Sequence, residues 1–179
     1  MEFSSRLEGR EQEVTNLFRE TFAASEGAQE GDMIAGLVET LINETDARDL
    51  RFFMAEDEGI CIGAIFFSRL RFAGEEQMVF LLSPVAVAPA HQGKGVGQAL
   101  IRHGLGVLKD AGVEAFVTYG DPHYYARVGF LPARLTDVPP PFDLQHPQGW
   151  LAQSSAGKPV ARMRGPSNCV QAFNDPAYW

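Results

Sequence analysis

Apolar residues recur at helical spacing near the beginning of the chain. The two sets are Val14, Leu17, Phe18 and Phe22, and then Ile34, Leu37, Val38, Leu41 and Ile42. Residues three or four positions apart lie on one face of a helix, so each set predicts an amphipathic helix. The polar residues 25–31 include glycine and predict the connection between these helices, with Asp32 as a candidate cap of the second.

Further along, the pattern changes to short apolar and aromatic runs, which predict strands. Residues 50–55 and 60–70 are two such runs, and the sequence Asp57-Glu58-Gly59 between them is typical of a turn joining antiparallel strands. Residues 78–88 are almost wholly apolar, which predicts a central strand buried on both faces. Because Pro84 within this run cannot donate a main-chain hydrogen bond, we expect the sheet to be interrupted or bulged there.

A helix that ends at Gly112 follows this strand in the predicted order. Its apolar stripe includes Leu100, Ile101, Leu105 and Leu108. Residues 113–119 predict another strand, and Asp121-Pro122 predicts a short helix that ends near Gly129. The proline-rich remainder predicts short strands and loops. This order predicts an α+β fold, in which a mixed, mostly antiparallel central sheet has helices on both faces in a three-layer α/β/α arrangement.

The composition fits a single domain over residues 1–179, because 45% of the residues are hydrophobic and 21% are charged. Cys61 and Cys169 show no ligand spacing, so neither a disulfide framework nor a metal site is expected. The formal net charge of -8 argues against binding to nucleic acid or to an anionic membrane. No apolar segment approaches the roughly 20 residues that span a bilayer, and no secretory signal is evident, so we expect a cytoplasmic protein.

The candidate chemistry lies where the predicted central strand is followed by a glycine-rich loop and then by a helix. Several unpaired backbone amides and the positive end of the helix dipole converge in such an arrangement, which favours an anion. Gly93, Gly95 and Gly97 let main-chain amides approach a phosphate closely, and Lys94 can add a positive charge. Mononucleotides, dinucleotides and coenzyme A are the ligand classes whose phosphates bind at loops of this kind.

The spacing of the glycines disfavours two of these classes. The mononucleotide loop requires Gly-Lys followed by Ser or Thr, whereas Lys94 is followed by Gly95. The dinucleotide fingerprint requires its third glycine at position 98, and the sequence places that glycine one residue early, at Gly97. A protein that binds ATP or NAD is therefore not predicted.

The remaining pattern resembles the acetyl-CoA loop of the GCN5-related N-acetyltransferase (GNAT) superfamily. The resemblance is carried by Val85-Ala86-Val87-Ala88-Pro89 and by Gln92-Gly93-Lys94-Gly95-Val96-Gly97. The tyrosine pair Tyr124-Tyr125 before Gly129-Phe130 resembles the closing helix of the superfamily, and the preceding Gly-Asp-Pro sequence is most similar to the bacterial YhbS-type branch. The resemblance is strongest over residues 78–132, and it implies the GNAT acyl-CoA N-acyltransferase fold.

This resemblance implies an acyltransferase that moves an acetyl group from acetyl-CoA to the amine of an acceptor, either a small molecule or a protein. The pyrophosphate is expected on the main-chain amides of Gln92, Gly93, Lys94, Gly95, Val96 and Gly97. The pantetheine arm is expected to pair, as an added strand, with Val85, Ala86 and Val87. The amide of Val85 is also expected to polarise the thioester carbonyl.

Tyr125 is the candidate acid that protonates the departing CoA thiolate, because a phenol keeps its proton at neutral pH. Tyr124 is its rival, and the spacing from Gly129 favours Tyr125. No general base is evident, since residues 78–88 contain neither a carboxylate nor a histidine. The alternative function is therefore a non-catalytic acyl-CoA-binding sensor or interaction module.

The aromatic residues at the end of the sequence allow two interpretations. They are Phe173, Tyr178 and Trp179. If exposed, they are expected to close an interface with a second copy in a homodimer, and otherwise to cover the core.

Overall fold

The structure is a computed structural model that describes all of residues 1–179. Its strands are β1 Glu2–Ser4, β2 Leu50–Asp57, β3 Ile60–Phe72, β4 Val79–Val87, β5 Ala115–Tyr119, β6 Leu131–Pro132, β7 Trp150–Ser154 and β8 Ser167–Asn168. Its α-helices are α1 Glu11–Glu26, α2 Ala28–Glu44, α3 Val96–Asp110 and α4 Pro122–Ala126. The elements from β2 to α4 lie where the apolar pattern predicts them.

The strands are hydrogen-bonded in the order β1-β2-β3-β4-β5-β7-β6, and β8 pairs with the end of β3. β4 runs parallel to β5. The pairs β1 with β2, β3 with β8, β5 with β7 and β6 with β7 are antiparallel. The prediction of a mixed, mostly antiparallel sheet with helices is therefore confirmed. None of the helices is long and apolar enough to cross a membrane.

The chain forms two compact units. The first consists of Met1–Phe67 and Pro84–Gly104, and the second consists of Ser68–Ser83 and Leu105–Trp179. The glycine-rich loop belongs to the first unit, and the tyrosine pair on α4 belongs to the second. Organisation as a single domain stays a prediction from the composition.

In the first unit, α1 and α2 are separated by one residue, Gly27, whose φ is 100°. The prediction of a connection over residues 25–31 is wrong, and Asp32 lies inside α2 instead of capping it. Gly31 contributed to the loop signal, but its role is close packing. A Cβ atom at Gly31 would lie 2.5 Å from the carbonyl oxygen of Arg19 in α1. Glycine at this position therefore lets the two helices touch and does not break the second one.

Phenylalanine side chains make up much of the core of the first unit. The ring of Phe66 on β3 packs against Phe18 of α1 and Phe52 of β2, with centroids 5.8 and 5.0 Å apart. α3 lies close against β3, since a Cβ atom at Gly104 would be 2.8 Å from the ring of Phe67. This contact fixes the helix that follows the glycine-rich loop.

The start of α1 is tied to the β2–β3 hairpin by the guanidinium of Arg10. It donates to both carboxylate oxygens of Glu13 and to Glu56, the latter at 2.6 Å. Glu13 also accepts from the amide of Cys61 at 2.9 Å. The hydrogen bond from Arg10 is the largest cause that holds the pKa of Glu13 below its usual value, while partial burial acts in the opposite direction.

Replacing Glu13 with glutamine is expected to lower the free energy of unfolding at neutral pH by about 1 kcal/mol, since the carboxylate is partly exposed and screened by solvent. Because the folded pKa is depressed, this stabilisation is present above the unfolded pKa and is lost as the pH falls through the folded pKa. Urea denaturation over the acid range measures the change. Glu11→Gln, in the first turn of the same helix, is the control. An equal deficit for Glu13→Gln at neutral and acid pH would contradict this role.

In the second unit, Trp150 anchors β7 beside β5. Its side chain is 0% exposed, and its indole nitrogen donates to the carbonyl oxygen of Val138 at 2.7 Å. Its ring makes edge-on contacts with Tyr119 and Trp179, at centroid distances of 6.5 and 5.9 Å. The proline-rich final third therefore folds around this tryptophan.

The aromatic residues at the end of the sequence cover the core of the second unit. Phe173 and Trp179 are each 3% exposed, and the indole nitrogen of Trp179 donates to the carbonyl oxygen of Phe173 at 3.0 Å. The first alternative, an exposed aromatic surface that closes an interface, does not fit this burial. These two side chains are internal packing residues.

Candidate functional site

The glycine-rich loop connects a short 3-10 turn, Pro89–His91, to the start of α3. Gly93 and Gly95 have φ values of 71° and 80°, in a region that side chains disfavour. A Cβ atom on either residue would meet nothing within 4 Å. The requirement for glycine is therefore conformational, and the space above the loop is open.

Unpaired main-chain amides converge where this loop enters α3. The first hydrogen bond of the helix runs from the amide of Ala99 to the carbonyl oxygen of Gly95, at 3.0 Å. The amides of Val96, Gly97 and Gln98 precede that bond and so have no partner within the helix. No acidic residue lies in the first turn, and the side chain of Lys94 is exposed. This end of α3 is suited to an anion.

The last residues of β4 present one free edge in the first unit. The amide of Ala88 donates to Ile62 of β3 at 2.9 Å, so the main chain of Val87 faces the opposite edge. The carbonyl oxygen of Val87 accepts from the Gln92 side chain at 2.9 Å. Val85 lies two residues earlier and faces the same edge, whereas the carbonyl oxygen of Ala86 lies toward Gly63 of β3. A strand added here would meet Val85 and the amide of Val87.

In the second unit, the parallel pairing of β4 with β5 stops abruptly. Residues 79–82 pair with residues 115–118, and the last pair joins Leu82 to Thr118. Tyr119 continues β5 by pairing with Trp150 of β7. The ladder therefore ends two residues before Pro84, as the proline predicts. The hydroxyl of Thr118 closes the end of the ladder by donating to the carbonyl oxygen of Leu82 at 2.9 Å.

Tyr125 lies on α4, whose first residue Pro122 follows the cap Asp121. Its ring packs against Phe130, with centroids 5.8 Å apart, and against Gly120. A Cβ atom at Gly120 would be only 2.7 Å from that ring, so the turn after β5 must be glycine for the ring to fit. Burial raises the pKa of Tyr125 to about 12, and a hydrogen bond with the Thr118 hydroxyl acts in the opposite direction.

Tyr124 differs from Tyr125 in its surroundings. Its ring stands edge-on to that of Tyr125 at a centroid distance of 5.1 Å, and burial raises its pKa as well. No side-chain hydrogen bond contributes to that shift, however. Of the two tyrosines, only Tyr125 packs its ring against Gly120, in the turn that follows β5.

A sequence model of the Acetyltransferase (GNAT) family matches residues 12–130. The chain belongs to this family. It is 35% identical over 131 residues to YjhQ, an uncharacterised N-acetyltransferase of Escherichia coli, and this alignment covers 70% of the chain and 72% of YjhQ. The predicted membership of the GNAT superfamily, a family of acyltransferases, is confirmed.

Two solved GNAT structures extend the likeness over nearly the whole chain. Escherichia coli YhbS, in complex with CoA, has a TM-score of 0.81 at 25% identity, covering 97% of this chain and 92% of its own. A GNAT acetyltransferase from Brucella melitensis, in complex with acetyl-CoA, has a TM-score of 0.73 at 26% identity and 97% coverage of both chains. The predicted GNAT fold and YhbS-like branch are confirmed.

Two residues of this GNAT site escaped the sequence reasoning. Thr118 carries a hydroxyl within β5, where its neighbours are apolar or aromatic. A polar residue in such a strand could have indicated a site residue from the sequence alone. Gly120 belongs to the Gly-Asp-Pro sequence that is similar to the YhbS-type branch, but nothing in that sequence indicates the contact with Tyr125. Both become visible only when α4 is placed against β5.

Proposed function

We propose that this GNAT protein transfers the acetyl group of acetyl-CoA to a primary amine by direct attack of the amine on the thioester. The observation that carries the proposal is the group of unpaired amides at the start of α3, after a loop that requires glycine. Such amides suit the pyrophosphate of coenzyme A. The ligands of the YhbS and Brucella structures support the same choice here.

Each part of acetyl-CoA is assigned to main-chain groups of the first unit. The amide of Gln92 already donates to Pro89 at 3.3 Å, so the pyrophosphate is assigned chiefly to the amides of residues 93–97. The pantetheine arm is assigned to the free edge at Val85 and Val87. The amide of Val85 would donate to the thioester oxygen, which gains negative charge as the amine attacks.

The chemistry balances without a metal or a covalent enzyme intermediate. The amine nitrogen bonds to the carbonyl carbon, and collapse of the tetrahedral intermediate breaks the C–S bond. The departing thiolate takes the proton of Tyr125, because a phenol is neutral at physiological pH and burial raises the pKa of Tyr125 further, to about 12. The proton released by the amine restores the phenol through solvent. The products are an N-acetylated amine and free CoA thiol.

Acetyl-CoA and CoA are expected to stabilise the protein against thermal unfolding, whereas ATP and NAD are not. A ligand at a hundredfold excess over its dissociation constant adds about 2.7 kcal/mol to the free energy of unfolding. A thermal-shift titration with the four ligands in parallel measures this effect. Stabilisation by all four, or by none, would contradict the proposed site.

A pair of glycine variants tests the loop itself. Gly95 and Gly9 both have a φ of +80°, and a Cβ atom on either would meet nothing within 4 Å. Gly95→Ala and Gly9→Ala should therefore lose similar intrinsic stability, about 1 kcal/mol. Only Gly95→Ala is expected to lose the response to acetyl-CoA. If Gly95→Ala responds to acetyl-CoA as strongly as the original chain does, the pyrophosphate does not bind at this loop.

A non-catalytic acyl-CoA sensor is the second candidate function. It is favoured by the composition of the central strand, because residues 78–88 contain neither a carboxylate nor a histidine that could act as a general base for the amine. Release of CoA thiol from acetyl-CoA in a panel of primary amines distinguishes the two functions. Binding without thiol release for any small-molecule or protein amine would favour the sensor.

A further inference from the structure

A cavity of about 360 Å³ opens beside the β6–β7 hairpin. Its apolar lining includes Leu131 of β6 and Ala152 of β7, which are paired across the hairpin, and the buried Val138. All of its lining residues lie between positions 129 and 160, so the cavity belongs entirely to the second unit. This volume is near the lower end of the range for small-molecule sites, and it suits a ligand of about the size of an amino acid.

The cavity is separate from the candidate acid of acetyl transfer. Gln153, which lines the cavity, pairs with Phe116 near the beginning of β5. The ring of Tyr125 packs instead against Gly120, which follows the last residue of β5. A ligand in the cavity would therefore not occupy the place of the candidate acid.

A tight turn from Arg134 to Val138 forms one wall of the cavity. The amides of Asp137 and Val138 both donate to the carbonyl oxygen of Arg134 at 2.9 Å. The same turn accepts two further hydrogen bonds, each of 2.7 Å, from the indole of Trp150 to Val138 and from the amide of Met163 to Asp137. The wall is therefore preformed, and binding of a ligand requires little reordering of the main chain.

Two cationic residues of the cavity are unpaired. Arg134 lies at the start of the turn, and Lys158 lies in the segment that follows β7. Both are exposed, and neither takes part in a salt bridge or a side-chain hydrogen bond. A guanidinium and an ammonium group on one cavity suit a carboxylate, which accepts charge-assisted hydrogen bonds from both.

Two acceptors line the same cavity. Asp137 is half-buried and forms no salt bridge, and the side-chain Oε1 atom of Gln153 is buried without a hydrogen-bond partner. The Gln153 amide is confined by Gly129, where a Cβ atom would lie 2.6 Å from its nitrogen. An unpaired buried acceptor costs free energy until a donor reaches it, and a small rotation about the broad terminal torsion presents Oε1 to the cavity. An ammonium group, which has only donors, suits both acceptors.

We propose that this cavity is a binding site for a free α-amino acid with an apolar side chain. Arg134 and Lys158 bind the carboxylate, and Asp137 and Gln153 accept hydrogen bonds from the ammonium group. The apolar lining takes the side chain of the ligand. This site goes beyond the proposed acetyl transfer and does not depend on it.

Isothermal titration calorimetry of the whole chain with L-leucine, without acetyl-CoA, tests the site. L-Leucinamide lacks the carboxylate and N-acetyl-L-leucine lacks the ammonium group, so each is expected to bind at least about tenfold more weakly than L-leucine. If either derivative binds as tightly as L-leucine, the assigned roles of the polar groups are wrong. Absence of binding by L-leucine up to about 10 mM would overturn the inference.

Three variants locate the bound amino acid. Arg134→Gln and Lys158→Gln are each expected to lower the affinity for L-leucine about tenfold or more. Arg162→Gln is the matched control, because it removes the same charge from an exposed residue outside the cavity lining, and it should leave the affinity unchanged. All three changes concern exposed side chains, so the variants should fold as the original chain does.

A second measurement reports on the cavity directly. The side-chain amide resonances of Gln153 in a nitrogen–proton correlation NMR spectrum are expected to shift when L-leucine is added. Unshifted Gln153 resonances, or unchanged affinity in both Arg134→Gln and Lys158→Gln, would place L-leucine elsewhere, for example as an acetyl acceptor, and would overturn the inference. Because these titrations contain no acetyl-CoA, failure of the proposed acetyl transfer leaves their result unaffected.

Discussion

Replacing Tyr125 with phenylalanine is expected to lower kcat about a hundredfold or more, the usual contribution of a positioned general acid. The change removes only the hydroxyl. The ring contacts with Phe130 and Gly120 remain, so the variant should fold and bind acetyl-CoA as the original chain does. Initial rates of CoA thiol release with a reactive primary amine give kcat, and the thermal-shift response to acetyl-CoA reports binding separately.

Tyr124→Phe is the matched control for this prediction, because it removes a phenol from the adjacent residue of the same helix. It should leave kcat close to that of the original chain. Loss of turnover in Tyr124→Phe with retention in Tyr125→Phe would transfer the acid role to Tyr124. Full turnover in both variants would leave neither tyrosine as the acid.

Replacing Trp150 with alanine is expected to lower the free energy of unfolding by about 3–5 kcal/mol, as for other fully buried aromatic residues. The side chain is 0% exposed, so its removal leaves a cavity that the surrounding rings cannot fill. The carbonyl oxygen of Val138 also loses the donor that lies 2.7 Å away. Equilibrium denaturation with guanidinium chloride measures the loss.

Two variants delimit the origin of that loss. Trp150→Phe keeps an aromatic ring but removes the indole donor, so it should lose less stability than Trp150→Ala. Val107→Ala deletes an apolar group from a side chain that is 43% exposed, and it is expected to change stability by about 0.5 kcal/mol or less. If Trp150→Ala is no more destabilised than Val107→Ala, then Trp150 does not anchor the second unit.

The elements with the strongest local signals were predicted well from the sequence. Leu100, Ile101 and Leu108 recur at helical spacing and are each at most 1% exposed in α3. The turn before β3 places Glu58 and Gly59 at φ values of 50° and 81°, as a tight antiparallel turn requires. In these cases the local preference and the tertiary packing favour the same conformation, so the pattern suffices.

The error at residues 25–31 has a different cause. The pattern predicts a connection there because these residues are polar and include glycine, which has a low intrinsic helix propensity. In the structure the missing side chain of Gly31 is needed for a contact between α1 and α2, where a Cβ atom would lie 2.8 Å from that of Ala23. A tertiary contact of this kind leaves no mark on the periodicity of the sequence.

The candidate site was predictable in part for the same reason. The loop from Gln92 to Gly97 is contiguous, so its spacing could be compared with known phosphate-binding patterns. The contact between the Tyr125 ring and Gly120 joins a helix to the turn after a strand, and the sequence does not specify how these two elements pack. The final third was harder still, because Trp150 and Trp179 meet across segments that are rich in proline and glycine.

The Gln92 side chain also sets the register of any ligand that adds to β4. Its side-chain amide nitrogen donates to the carbonyl oxygen of Val87 at 2.9 Å, and the hydroxyl of Thr21 donates to the same oxygen at 3.4 Å. An extended ligand arm can therefore pair with the main chain only as far as the amide of Val87. A ligand bound in this way would leave the strand beyond Val87, where the chain turns toward the loop. The side chain of Gln92 would thus determine how much of an extended ligand lies along the strand and where its anionic part begins.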